Sequence, residues 1–350
     1  MALPSEIQIV APDFDTIRDD LKRFLRNQTE LLDFNFEGST LSVLLDLLAY
    51  DAYYHGWYTN FAVNETFLQT AQIRNSVVAA ARQVGYVPRS TAGAVAIVDV
   101  NVSTVNTADA TLTISKYTPF TSVVSGNTYT FYTIDDYVAE VNTSSTVLIE
   151  GVELYEGTKL RQTVTINSVS NTGTSIALLN QNVDTRTITV SVAASNTSPT
   201  AVTYYRASSA VAVNSTSNVY FLFESNDGTY DLHFGDGTLG RALQVGQYVT
   251  IDYLVSRGKE GNGANTFTYG GSALGILSQT SNVSVSLSNI NVPSYGGAPR
   301  ESIESIKFNA PNIYRTQGRI VTAADARSVL IAEVTGIDSV SVWGGEDNDP

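Results

Sequence analysis

Apolar residues in this chain follow two rhythms. From residue 13 to about 86 they recur at three- and four-residue steps. Phe14, Ile17, Leu21, Phe24, Leu25 and Leu32 line one face of an amphipathic helix. Gly38-Ser39 interrupts the pattern, and the Ser39 hydroxyl is placed to cap the next helix. Leu41, Leu44, Leu45, Leu48 and Ala52 carry that helix's apolar face, which runs into Tyr50, Tyr53, Tyr54, Trp57, Tyr58 and Phe61. These aromatics go nearly all the way round, and a helix apolar on every side is buried on every side. Three short helices cannot bury it all, so a partner chain is expected, the alternative being cover from the later part of the same chain. Asn64-Glu65 and Thr70 are further cap candidates. Ile73, Val77, Val78, Ala80, Ala81 and Val84 form a third helix, with Gly85 as its C-cap and Pro88 beyond.

After Ala94 the period drops to two. Short β runs follow at Val95–Val102, Tyr129–Tyr132, Val147–Leu154, Leu160–Val169, Thr187–Val192, Tyr220–Glu224 and Tyr248–Val255, separated by turns such as Asp227-Gly228. Tyr230, Leu232 and Phe234 alternate with Asp231 and His233. Asp236-Gly237 then reads as a tight turn into Gln247–Val255, which Gly258, Gly261 and Gly263 close. The spacing favours an antiparallel sandwich or barrel-like domain with room for an inserted subdomain. Beyond the linker Tyr295–Pro299, Glu301–Phe308 reads as a short helix stopped by Ala310-Pro311. Thr322 caps a second helix, and Val334–Trp343 begins a strand. The expected fold class is therefore multidomain α+β: a helical region at 1–90, an antiparallel all-β domain at 91–293, and linker helices with the start of an α/β domain at 294–350.

Composition narrows the chemistry. The 350 residues carry a net charge of −14 with only 15% charged residues and no cysteine. An acidic surface argues against nucleic acid and anionic membrane as partners. The absence of cysteine removes disulfides, thiol catalysis and zinc–thiolate sites. No run is long and apolar enough to span a bilayer, and the start MALPSEIQIVAPDFD has neither a basic nor an apolar leader region. His55 and His233 are the two histidines, and both read as packing or surface residues. Asp227-Gly228 and Asp236-Gly237 lack the calcium-loop order and read as hairpin turns. Gly258–Gly263 lacks the lysine and helix of a phosphate loop. Arg18, Lys22, Arg23 and Arg26 interleave with acids and read as a mixed helix face. Glu346, Asp347 and Asp349 read as a solvated acidic tip. No catalytic residue, cofactor or metal site is expected.

Two ordered signatures carry a resemblance. Phe234-Gly235-Asp236-Gly237, Gly240, Tyr253 and Gly261-Asn262-Gly263 resemble the β-domain signature of the baseplate J family. Gly296-Gly297, Glu301, Ala310-Pro311, Arg319, Val321-Thr322 and Asp325 resemble the segment that follows it in the same family. The stretch from Phe36 to Ser90 is similar to the start of the baseplate wedge proteins of T4-like contractile-tailed phages. The resemblance implies a non-enzymatic virion protein of the tail baseplate, made in the host cytoplasm. It is implied to pair with itself, bundle its N-terminal helices with other wedge subunits, and touch ring neighbours around the tail hub. The residues expected at the inter-subunit bundle are Leu44, Leu48, Tyr50, Tyr53, Tyr54, Trp57, Tyr58 and Phe61. A bacterial contractile-injection component and a carbohydrate-binding tail protein remain as alternatives.

Overall fold

The computed structural model describes residues 7–10, 13–27, 36, 39–103, 111–141, 146–169, 173–207, 213–225, 227–270, 276–277, 284–317, 319–334 and 339–344. Leu32 and the acidic tip of Glu346, Asp347 and Asp349 lie outside them. The chain forms two compact units, 1–84 and 85–350.

The first unit is helical. Helix α1 (Phe14–Arg26) starts at Asp13, whose carboxylate accepts the Thr16 N–H at 3.0 Å. Helix α2 (Thr40–Asn64) starts at Ser39, whose hydroxyl accepts the Ser42 N–H at 3.0 Å. It runs unbroken for 25 residues, where shorter helices were expected. Helix α3 (Arg74–Gln83) buries Val77, Val78 and Ala81. Its N-terminus is capped from a distance. Ile73 offers no side-chain cap, and the Glu65 carboxylate instead accepts the Gln72 N–H at 2.7 Å and the Ile73 N–H at 3.2 Å. Thr70 serves the other helix end, donating its hydroxyl to the Asn64 carbonyl at 2.7 Å.

The second unit is mostly β. Its first sheet has six strands in the order β14 (Thr268–Tyr269), β3 (Pro119–Val124), β4 (Asn127–Tyr132), β6 (Thr146–Glu156), β1 (Val95–Ser103) and β16 (Ser284–Tyr295). The two ends of this sheet approach each other, because the Gly263 N–H donates to Ser294 O at 2.7 Å and the Ser294 N–H to Ala264 O at 2.9 Å. A small sheet of β15 (Ile276–Leu277), β2 (Thr111–Ile114) and β5 (Tyr137–Glu140) adds Leu112 and Ile114 to the same core. Along β1, Ala96, Val98, Val100 and Val102 are fully buried at every second position, as period-two alternation requires.

A seven-stranded sheet forms a second core. Its order is β7 (Thr158–Thr165), β13 (Tyr248–Val255), β9 (Val183–Ala193), β10 (Ala201–Arg206), β11 (Val219–Glu224), β12 (Tyr230–Phe234) and β8 (Ser175–Ala177). Its pairings are antiparallel except for β10 with β11, which run parallel. Asp227-Gly228 does join a hairpin, β11 to β12. Asp236-Gly237 does not, because β12 and β13 lie at separate places in the sheet with three strands between them. The expected run Leu160–Val169 stops as a strand at Thr165. The clean alternation expected of β13 also fails past Ile251. Asp252 and Leu254 are buried along with Tyr253, since this half of the strand is covered on both faces.

Helices α4 (Ile303–Thr316) and α5 (Ala323–Glu333) pack together. Pro311 does not stop α4 but sits inside it. A proline removes one backbone donor and crowds the carbonyl four residues back. Here the helix continues to Gln317, a left-handed cap, and the Asn312 amide gives Phe308 O an extra donor at 2.9 Å. Glu301 lies before this helix, and Ser302 is the N-cap. Thr322 and Asp325 form a reciprocal capping box on α5. No strand forms among the described residues between Val334 and Trp343.

Candidate functional site

Helix α2 presents the most unusual surface. The residues it buries are Ser42, Leu45, Ala49, Gly56 and Asn64, a narrow seam of mostly small side chains. That seam lets α1 approach, and Arg18 pairs with Asp46 at 2.6 Å across the contact. The far end of α2 is clamped by two amides. The Asn60 side chain accepts from the Ile9 N–H at 2.9 Å, and the Asn64 side chain accepts from the Ile7 N–H at 2.9 Å. Their amide groups donate back to Val10 O at 2.6 Å and Ile7 O at 2.8 Å.

A second seam lies open. Val43, Leu47, Tyr50, Tyr54, Trp57 and Phe61 follow one another at steps of four, three, four, three and four. This is the spacing of a coiled-coil a/d stripe, which buries itself only against another helix. Val43 and Leu47 are each 62% exposed and Trp57 is 46% exposed. Tyr58 flanks the stripe and Leu44 and Leu48 lie further round the helix, all three exposed, while Tyr53 and Phe61 are half-buried. The expected apolar face of Leu41, Leu44, Leu45, Leu48 and Ala52 therefore splits, with only Leu45 in the unit's own core. Val43 and Leu47 were missed. Their signal was the heptad step, which a count of apolar residues hides.

The aromatic rings on this face already pack along it. Tyr50 and Tyr54 meet edge-on at 4.5 Å, and Trp57 stacks on Phe61 at 5.4 Å. The Tyr50 and Tyr54 hydroxyls share a hydrogen bond at 2.8 Å, and the bond and charge of Tyr50 raise the Tyr54 pKa. The surface is thus pre-ordered, so few rotamers would be lost on covering it. Trp57 and Phe61 also line a groove of about 370 Å³ beside Ile7, Asn60 and Asn64.

Most of the signature residues gather in two other places. Phe234 is buried against Tyr204 and Tyr220, with ring centres at 5.8 and 6.3 Å. Gly235 has no room for a side chain, since a Cβ would come within 2.2 Å of the Gly240 backbone. The Asp236 carboxylate accepts the N–H groups of Thr238 at 2.8 Å and Leu239 at 2.9 Å, which lowers its pKa, and Gly237 takes a left-handed φ of 90°. The other group is a latch between segments far apart in sequence. The Asn262 amide accepts the Gly297 N–H at 2.8 Å and donates to Gly297 O at 3.0 Å. A Cβ on Gly297 would meet Gly258 O at 2.4 Å, and one on Gly261 would meet the Glu156 side chain at 2.7 Å. Gly263 and Gly296 take left-handed φ on either side. Glu156 is buried there. Its pKa is raised by desolvation and partly restored by donors from Ser256 Oγ at 2.7 Å and the Arg257 N–H at 3.2 Å. Pro311, Arg319, Thr322 and Asp325 belong to the α4–α5 region, and Arg319 is exposed.

His55 is exposed on α2 with Asp51 at 3.6 Å, and His233 packs edge-on to Phe223 at 5.0 Å. Among the described residues no group of three or more His, Cys, Asp or Glu is placed to hold a metal ion. No helix among them is long and apolar enough to cross a membrane.

One unit thus carries an exposed, pre-ordered apolar helix seam and the other is β-rich, the features of a structural rather than a catalytic class of protein. The comparisons with known proteins agree. Residues 13–86 match the family described as baseplate wedge protein gp6-like, helical domain. Over 334 residues the chain is 29% identical to the baseplate wedge protein gp6 of Enterobacteria phage T4, a match covering 90% of this chain and 49% of that protein. The chain thus spans about half the length of the curated relative it matches. The resemblance to baseplate wedge proteins read from the N-terminal residues is borne out.

Proposed function

We propose that this protein is a structural subunit of a phage tail baseplate wedge, and that the open seam of α2 is buried in a helical bundle with a second copy and with other wedge subunits. In this reading residues 1–90 are the assembly region, 91–293 the β-rich body, and 294–350 linker helices with the start of an α/β domain. The protein performs no chemistry, resides in the virion after synthesis in the host, and binds neither nucleic acid nor membrane. The observation that carries the reading is the exposed heptad stripe from Val43 to Phe61, inside the segment that matches the wedge-protein helical domain. Large rigid apolar side chains supply most of the energy of stable interfaces. Leu44, Leu48, Tyr53 and Tyr58 form the margins of that contact, and Tyr50, Tyr54, Trp57 and Phe61 its centre.

The test is the solution mass of the 350-residue chain, alone and co-expressed with other wedge subunits. A dimer or larger complex that is weakened by Trp57→Ala or Tyr54→Ala, with the fold intact, is expected. Assembly that both variants leave unchanged would remove the bundle from the proposal.

A further inference from the structure

A second, unrelated surface opens inside the seven-stranded sheet. Strands β9 and β10 pair only from Val190↔Tyr204 to Ala193↔Ala201. Beyond Tyr204, β10 leaves β9 and pairs with β11 at Tyr205↔Val219 and Arg206↔Tyr220. Among the described residues no strand replaces it beside the first half of β9. The sheet therefore splays, and a cleft of about 390 Å³ fills the gap. One wall is Thr185–Thr189 of β9, the other is Thr203–Arg206 with Tyr220, and Lys116, Ile134 and Asp135 close one side.

The chemistry of this cleft is donor-rich. The Lys116 backbone N–H donates to the Asp136 carboxylate at 2.6 Å, but the Lys116 ammonium and the Arg206 guanidinium make no ion pair among the described residues, whereas Arg186 is held by Asp184 at 2.6 Å. Lys116 lies over the Tyr117 ring at 5.4 Å, and Lys159 lies over the same ring at 4.1 Å. Asp135 is the cleft's one carboxylate. Tyr204 and Tyr220 are almost wholly buried, yet neither hydroxyl has a hydrogen-bond partner among the described residues, although both side chains border the cleft. Burial raises both phenol pKa values, Tyr220 to about 12, so both remain donors at neutral pH. Tyr205 is 68% exposed at the rim.

A gap between strands is recognised by an extended backbone, which pairs its own N–H and C=O groups with the open edge. Two unpaired cations select an acidic one. We propose that the cleft between β9 and β10 receives an extended acidic peptide segment of another protein subunit, laid along the backbone of Ile188–Thr189, since the Thr187 carbonyl already accepts from the Tyr117 hydroxyl at 3.5 Å and the Thr185 N–H donates to Ser90 Oγ at 3.1 Å, with its carboxylates toward Lys116 and Arg206. This site is independent of the α2 seam. In a chain of net charge −14, it is a local inversion that would draw an acidic neighbour to one place.

The probe is a fluorescein-labelled hexapeptide of alternating valine and glutamate, titrated into the full 350-residue chain by anisotropy at low salt. Three comparisons use the unaltered protein: lysine in place of glutamate, N-methylation at alternate residues, and an oligoglucuronate as an acidic but non-peptide ligand. The expected result is that the glutamate peptide binds at least tenfold more tightly than the other three. Lys116→Glu with Arg206→Glu, the first half-buried and the second exposed, should weaken it by tenfold or more at an unchanged melting temperature. Equal binding of the glutamate and lysine peptides, undiminished binding after N-methylation, preference for the saccharide, or no binding at millimolar peptide would each overturn the proposal.

Discussion

Replacing Trp57 by alanine removes the largest side chain of the α2 stripe. Trp57 is 46% exposed in the isolated chain. A tryptophan side chain offers about 250 Å², so about 115 Å² remains for a partner to cover. At about 25 cal/mol per Å² that area is worth about 3 kcal/mol. Alanine keeps a small share, so the expected loss is about 2 kcal/mol, or about thirtyfold in dissociation constant, for each altered copy that buries this side chain in the complex. The stack on Phe61 at 5.4 Å is lost as well, which frees Phe61 and adds to the cost. Sedimentation velocity over a wide concentration range reads this directly. His55→Ala is the control. His55 is on the same helix but off the stripe, and its change should stay within about 0.5 kcal/mol. A Trp57→Ala dissociation constant within about twofold of the parent, at unchanged melting temperature, would refute the argument that this stripe holds subunits together.

The β body offers three further tests by thermal or urea unfolding. Gly297→Ala should destabilise by about 2–3 kcal/mol or prevent folding, because its Cβ would press on Gly258 O at 2.4 Å; an unchanged melt would mean the latch can move aside. Glu301→Gln should cost about 1–3 kcal/mol, since the buried carboxylate accepts from the Tyr86 hydroxyl at 2.8 Å, the Arg89 N–H at 3.0 Å, Ser305 Oγ at 2.7 Å and the Asn309 amide at 2.8 Å, and an amide cannot accept at every one of these positions. The pH dependence should have two opposite parts. Asp325 has its pKa lowered by the Thr322 cap, so its stabilisation is present above the ordinary value of 3.8 and is lost as pH falls through the folded value, and Asp325→Asn should flatten the acid limb of the melting curve. Glu156 has its pKa raised by desolvation, so its ionisation opposes folding as pH rises, and Glu156→Gln should hold or raise the melting temperature at pH 7.

What could be read from the residues alone follows how locally each feature is determined. The caps at Ser39 and Thr322 depend on a side chain and a backbone group within three residues, and both form as expected. The alternation of β1 and β12 depends on one face meeting one core, and it too was legible. The failures are non-local. Asp236-Gly237 has the dipeptide of a hairpin, but whether two strands pair is decided by the rest of the sheet, and here three strands intervene. Pro311 should end a helix on local grounds, and α4 nevertheless runs on through it. The Asn262–Gly297 latch could not be seen at all, because nothing in either tripeptide says that they meet.

The α2 stripe combines both cases. Its aromatic content pointed to an interface at once, but the choice of face did not, because Leu44, Leu45, Leu47 and Leu48 spread over nearly half of the helix circumference and the aromatics extend the apolar arc further. The face was settled by which side the small residues Ser42, Ala49 and Gly56 give to the unit's own packing. Once that side is spent, the heptad from Val43 to Phe61 is what remains outward. A helix that keeps small residues for its own unit and large rigid ones for the outside puts its greatest apolar area where a surface from outside that unit would have to bury it. That division of side chains by size, more than the count of aromatics, is why a bundle explains α2 better than an ordinary surface helix does.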